Sequence, residues 1–378
     1  MAALSPRARR AVTLMFIAVV VLGATAAYYV RPWALSKPAG AVIAERPFPV
    51  QKTKDIVSYR FVSLALGWAA EAPQPYANAG DFSIFKTVDA GRHWRKQLAG
   101  HSAVVFATTF SMKFVDAHHG FALAGDPLAL YRTGDGGDHW TRFALPAADS
   151  VTLQVTDAQH VWLLGRPPSR TPIPFHLFGS SDGGETWTQR PDHPSDEYFY
   201  PLIRNAAEGW SGAFDQSNPY VLVTADGGVT WQRRDLPKDP ELPQPVATSV
   251  RLLPGAGVLA QVYPPGSGFV PNQHSYTSLD GGSSWRAITK ASVLGDLGNY
   301  IFQDSTHWWS VQDRALYKTA DAGLTWTAAG VTPVGLNLLQ VFDASHAWAT
   351  LDEGFGTELA FTDDGGLHWT RTNVPIPL

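Results

Sequence analysis

No cysteine occurs anywhere in the sequence. Disulfides, thiolate metal sites and cysteine nucleophiles are therefore excluded, and so is lipid attachment at an N-terminal cysteine. Charge is sparse, at 16% of residues. From Pro38 onward 24 basic residues face 33 acidic ones. A body with that balance is not a nucleic-acid binder by bulk electrostatics. The twelve histidines show no H-E-x-x-H or similar spacing, so no metal site is expected. No motif points to a cofactor, and none is expected. Long apolar runs are missing too, except at the N-terminus.

That exception covers Ala11 to Val30, an uncharged stretch preceded by Arg7, Arg9 and Arg10 and closed by Arg31. Twenty helical residues span about 30 Å, the thickness of a bilayer core. The positive flank predicts the N-terminus inside and the rest of the chain outside. Ala24-Thr25-Ala26 also fits a signal-peptide cleavage pattern, and Arg9-Arg10 faintly matches a twin-arginine signal. Either way the body is expected to be extracytoplasmic. The division is a basic flank at 1–10, an anchor or signal at 11–30, a linker at 31–54 and a repeat domain at 55–378.

What the chain has in abundance is turns and aromatics: 34 Gly, 28 Pro, 14 Trp, 19 Phe and 12 Tyr. These favour β structure. The pattern Ser/Thr-x-Asp-Gly/Ala-Gly-x-x-Trp recurs seven times. Its aspartates are Asp89, Asp135, Asp182, Asp226, Asp280, Asp321 and Asp364, separated by 46, 47, 44, 54, 41 and 43 residues. That is the period of a four-stranded propeller blade. Each Asp is suited to accept amide hydrogen bonds in a turn. The second Gly points to a positive φ, and the Trp opens a strand with a large apolar surface. The aspartates are thus read as turn residues, not as a catalytic set. A second turn, Asp-x-x-His, recurs at Asp116, Asp157, Asp304 and Asp343. The prediction is an all-β, seven-bladed propeller of four-stranded antiparallel blades, running strands A to D from the axis outward. Ring closure should bring blade 1 against blade 7.

The octapeptides resemble Asp-box, or BNR, repeats. A single seven-bladed ring of them resembles the photosystem II stability and assembly factor family. The resemblance runs from about Asp55 to Leu378. It implies a propeller fold and a protein partner engaged by an arginine-rich surface, with no residue-by-residue correspondence. The box itself is nearly silent on function.

In an up-and-down blade the A–B and C–D turns share one face, so the boxes mark the face opposite the B–C loops. Five insertions break the template: Glu71 to Phe82, Gly165 to His176, Pro191 to Tyr200, Asp235 to Val246 and Tyr263 to Ser275. They carry Tyr76, Arg166, Arg170, Phe175, Tyr198, Tyr200, Tyr263, Phe269 and His274. Such loops are either a binding surface or plain solvated connections. Aligning the inner strands yields Arg60, Lys113, Gln154, Arg204, Arg251, Ile301 and Gln340, each near the end of strand A. This polar set is either a ring whose cations pair with neighbouring acids, or an anion site.

Two kinds of function remain. One is a non-enzymatic scaffold that engages a protein partner through the loop face and the basic channel. The alternative is a glycoside hydrolase or a carbohydrate-binding receptor. Hydrolysis would need two nearby carboxyls, and Asp126, Asp215, Asp313 and Asp352 fall on different blades. The sequence leans toward the scaffold.

Overall fold

The computed structural model describes residues 56–72, 80–102, 110–146, 150–166, 176–191, 199–216, 218–238, 245–264, 274–288, 300–352 and 357–374. The segment 11–30 lies outside them. Among the described residues no helix is long and apolar enough to cross a membrane.

Seven antiparallel sheets follow one another along the chain, each with its strands in sequence order. Blade 1 is Ile56–Phe61, Gly67–Glu71, Gly80–Thr87 and Arg95–Ser102. The inner strands of blades 2 to 7 are Ser111–Phe114, Ser150–Val155, Leu202–Ile203, Val246–Leu252, Tyr300–Phe302 and Leu336–Val341. Burial explains why these sequences suit these positions. Strand B of blade 2, Gly120–Ala124, is buried at every residue, as befits a strand covered by blades on both faces. Strand D, Thr141–Ala144, lies at the outer rim and is mostly exposed.

One sheet departs from the expected four strands. The B–C connection of blade 4 sends a two-residue strand, Phe214–Asp215, onto the inner strand of blade 5, making that sheet five-stranded. Phe214 pairs with Ala247 and Asp215 with Val246. Thr248 fixes the crossing. Its hydroxyl bonds to the carbonyls of Ala213 and Tyr220, at 3.1 and 2.6 Å, and accepts the Ala213 amide at 2.8 Å.

Two of the joints between neighbouring blades are aromatic stacks. Phe114, closing strand A of blade 2, stacks on Trp68 in strand B of blade 1, with centroids 3.6 Å apart and planes 7° apart. The ring closes with the same joint: Phe61 of blade 1 stacks on Trp348 of blade 7 at 4.0 Å and 9°. At the outer rim of that seam Trp94 Nε1 donates to Asn373 O (2.9 Å) and Thr372 Oγ1 donates to Ala90 O (2.8 Å). Closure therefore uses side chains and turn carbonyls, with no sheet shared between the two ends.

Candidate functional site

Each Asp box closes its own turn by one shared set of bonds, to which boxes 3 and 4 add the amide of the sixth position. In box 4, Thr224 Oγ1 donates to Asp226 Oδ1 (2.8 Å) and accepts the Gly228 amide (2.9 Å). Asp226 Oδ1 also accepts the Val229 and Thr230 amides, and Oδ2 takes the Thr230 hydroxyl at 2.6 Å. Where the seventh position is His, as at His93, His139 and His368, Nδ1 replaces the hydroxyl at 2.5–2.6 Å. The second Gly has a positive φ in every box, from 75° to 98°. The residue before it is also left-handed, and in boxes 1 and 6 that position is held by Ala90 and Ala322 at φ 60°. Its amide reaches the A–B turn of the same blade, as from Gly136 to His118 O at 2.7 Å and from Ala322 to Thr306 O at 2.9 Å. The two turns on this face are thus clasped together in each blade.

These bonds hold the carboxylates in their charged form. The side-chain and backbone donors of Thr230 and Ser284 lower Asp226 and Asp280 to about 2. The other five box aspartates shift the same way. An unfolded aspartate titrates near about 3.9. A carboxylate depressed on folding favours the fold above that pH, and its contribution is lost as pH falls through the folded value. Acid unfolding is expected between about pH 4 and pH 2, followed by circular dichroism. A signal unchanged down to pH 2 would show that the boxes carry no linkage.

The inner set is not a row of cations pointing idly into a channel. Most of its members reach the next blade. Arg60 Nε donates to Phe114 O of blade 2 at 3.1 Å. Gln154 donates to Pro201 O (2.7 Å) and accepts the Ile203 amide (2.9 Å) of blade 4. Arg204 donates to the carbonyls of Gly255 and Gly257 in blade 5. Arg251 donates to Tyr300 O of blade 6 at 2.8 Å, and Gln340 accepts the Phe61 amide of blade 1 at 3.3 Å. Arg204 and Arg251 also lie over the rings of Trp210 and Phe302, at 4.6 and 4.7 Å. Ile301 is apolar and carries no such bond.

Burial lowers the pKa of Arg60, Arg204 and Arg251. Lys113 is lowered by burial of its amino group and then by the charge of Arg60. Glu208 partly offsets the shift at Arg204. Arg60, Arg204, Arg251, Ile301 and Gln340 come together around one cavity of about 640 Å³. Lys113 and Gln154 do not line it. Among the described residues none that lines it is acidic.

Its location follows from the chain. The lining includes Thr156, Phe302 and Val341, each just before an A–B turn, and Pro254 and Gly255 within one. The cavity thus lies at the box end of the channel, while the long insertions leave the blades at the other end. The insertion residues Tyr76, Arg170, Phe175, Tyr198 and Phe269 lie outside the described residues, as does the side chain of Arg166. Tyr200 is exposed and its amide donates to Ser211 Oγ at 2.8 Å. Of the four carboxylates on different blades, Asp215 is engaged by Arg233 at 2.9 Å. Among the described residues no cluster of three metal-ligating side chains occurs. Two features escaped the sequence reading: the extra strand at Phe214–Asp215, and the aromatic at the second position of strand B. The latter was visible as Trp68, Phe121, Trp162, Trp210, Trp309 and Trp348, at a period close to that of the boxes.

No protein-family model matches the chain. A curated relative, the photosystem II assembly lipoprotein Ycf48 of Synechococcus sp. (strain CC9902), is 29% identical over 134 residues. That match spans 33% of this chain and about a third of the relative's own length, 36%. Among solved structures, Ycf48 from Cyanidioschyzon merolae superposes with a TM-score of 0.52 at 15% identity, over 84% of this chain and 97% of that one. An ancestral GH74 enzyme gives the same TM-score at 14% identity, over 87% of this chain and 47% of that one. The two structures show the fold and the sequence match narrows it: this chain is a seven-bladed propeller that resembles the photosystem II assembly factor family.

Proposed function

We propose that the chain is a non-enzymatic, extracytoplasmic scaffold, held to a membrane by residues 11–30, which binds a protein partner during assembly or stabilisation of a larger complex. The observation that carries this reading is the cavity ringed by Arg60, Arg204 and Arg251. Three guanidinium groups from different blades, each partly withdrawn from water, form a donor site for carboxylates. Similarity to a protein named for photosystem II assembly supports the same reading. The partner's chemistry is then an acidic protein segment.

Crosslinking in intact cells followed by pull-down should recover a specific partner. The double charge reversal R204E/R251E should reduce that recovery by about tenfold or more, with the fold checked by circular dichroism. Recovery of no partner, together with an unchanged phenotype for R204E/R251E, would sink the proposal.

A further inference from the structure

Three of the inner strands that line the arginine cavity run into turns that hold titratable pairs. Cavity residues Thr156, Phe302 and Val341 lead into the turns at Asp157, Asp304 and Asp343. In each turn Asp Oδ1 accepts two backbone amides, at 2.7–2.9 Å. The last residue of the turn is His, whose Nδ1 meets Asp Oδ2 at 2.8–2.9 Å in His160, His307 and His346. Asp116 and His119 repeat the pair on blade 2 at 2.8 Å. Each pair carries one negative charge with a neutral imidazole and none with an imidazolium. Imidazole is the side chain whose charge ordinarily changes between pH 5 and 8. At the aspartates, partial burial, which raises the pKa, is outweighed by the amide and imidazole hydrogen bonds. They therefore stay ionised across that range.

We propose that these three His–Asp pairs gate the cavity by charge, admitting an acidic segment when the imidazoles are protonated and repelling it when they are neutral. The inference rests on the cavity reading above and adds its regulation. Other charged groups lie around these turns. Arg60, Arg204 and Arg251 face the cavity from the axis, with Lys113 beside Arg60 and Glu208 on the blade 4 turn. Arg132 of blade 2 donates to Asp182 O and Glu185, behind the His160 turn. The boxes contribute Asp182, Asp321 and Asp364, the last paired with His368. Lys318 donates to Ala344 O within the His346 turn at 3.0 Å. Burial lowers Lys318 to about 8, partly offset by Asp364 and Asp343. It keeps most of its proton at pH 7.5, so its titration adds only a minor part of the difference between pH 6.0 and pH 7.5.

The protein itself supplies conservative replacements. Blade 4 builds the same turn with Asn205, whose Oδ1 accepts the Ala207 and Glu208 amides at 2.9 and 2.8 Å. Asp→Asn at the other turns therefore keeps the backbone bonds and removes the charge. Likewise Gln154 bridges to the next blade where other blades use Arg, so Arg→Gln keeps a donor there.

The probe is tetramethylrhodamine-labelled hexaglutamate, followed by anisotropy in about 50 mM salt, where surface charges are only partly screened. The wild-type chain is expected to bind roughly threefold tighter at pH 6.0 than at pH 7.5. D157N/D304N/D343N should bind more tightly than wild type at both pH values, because it removes three negative charges and leaves the imidazoles in place. R60Q/R204Q/R251Q should lose binding at both pH values. Equal wild-type binding at the two pH values, with loss in the arginine variant, would overturn the gate and leave the cavity reading standing. Absence of binding at either pH, or unimpaired binding by the arginine variant, would overturn both.

Discussion

Gly212→Ala should lower the unfolding free energy by about 3 kcal/mol, at the upper end of what overpacking costs. A Cβ built at Gly212 lies 2.1 Å from the carbonyl oxygen of Thr248 and 3.0 Å from its carbonyl carbon. These are backbone atoms of a paired strand, so no side-chain rotation relieves the clash. Relief requires moving the crossing segment away from blade 5. That move strains the bond from the Thr248 amide to Ala213 O, 2.8 Å, and the Thr248 hydroxyl bridge to Tyr220 O. It also endangers the pairing of Phe214 with Ala247. Gly134→Ala is the control, since a Cβ there meets nothing within 4 Å. Urea denaturation of both variants decides the matter. If Gly212→Ala unfolds within about 0.5 kcal/mol of wild type, the crossing is not a fixed part of the fold.

Phe61→Ala is expected to cost about 3–5 kcal/mol, the range for truncating a buried aromatic. Phe61 is fully buried, stacks on Trp348 and meets the edge of Trp94 at 6.4 Å. Its amide also donates to Gln340, so the ring and the backbone secure the same seam. Phe114 offers the comparison: it is 1% exposed, stacks on Trp68 and meets the edge of Trp140 at 5.9 Å. Phe114→Ala should cost a similar amount, because the joint between blades 1 and 2 has the geometry of the joint between blades 7 and 1. A much larger loss at Phe61 would mean that ring closure depends on this one contact. A much smaller loss would mean that the rim bonds of Trp94 and Thr372 hold the seam without it.

The blades were legible because their turn chemistry is local. Ser or Thr, Asp and two left-handed residues make a box from eight consecutive positions, so counting boxes counts blades. The four Asp-x-x-His turns are legible for the same reason. The extra strand was not. Phe214 and Asp215 have no periodicity of their own, and their pairing with Val246 and Ala247 depends on where blade 4 places its connection. The inner set was half legible. Alignment picked out the right column of residues, since polar side chains at an inner-strand position stand against the apolar pattern. It could not show where the side chains go. Arg60, Arg251 and Gln154 end on backbone groups of the next blade, which only the assembled ring brings within reach. Nor did the column show that Lys113 and Gln154 stand apart from the cavity. The end of the channel was implicit, because a residue just before an A–B turn lies at the box end.

Phe214–Asp215 also changes what the axis of the ring offers to another chain. A strand A has one edge hydrogen-bonded to its strand B and the other turned toward the axis. In blade 5 that second edge is already taken at Val246 and Ala247, where the strand begins. Unpaired strand edges are where an extended peptide adds itself to a sheet. From the loop end, blade 5 is closed to such an addition by the chain's own backbone. An extended segment entering there would have to pair with a different blade, and the register of any added strand would be set away from blade 5.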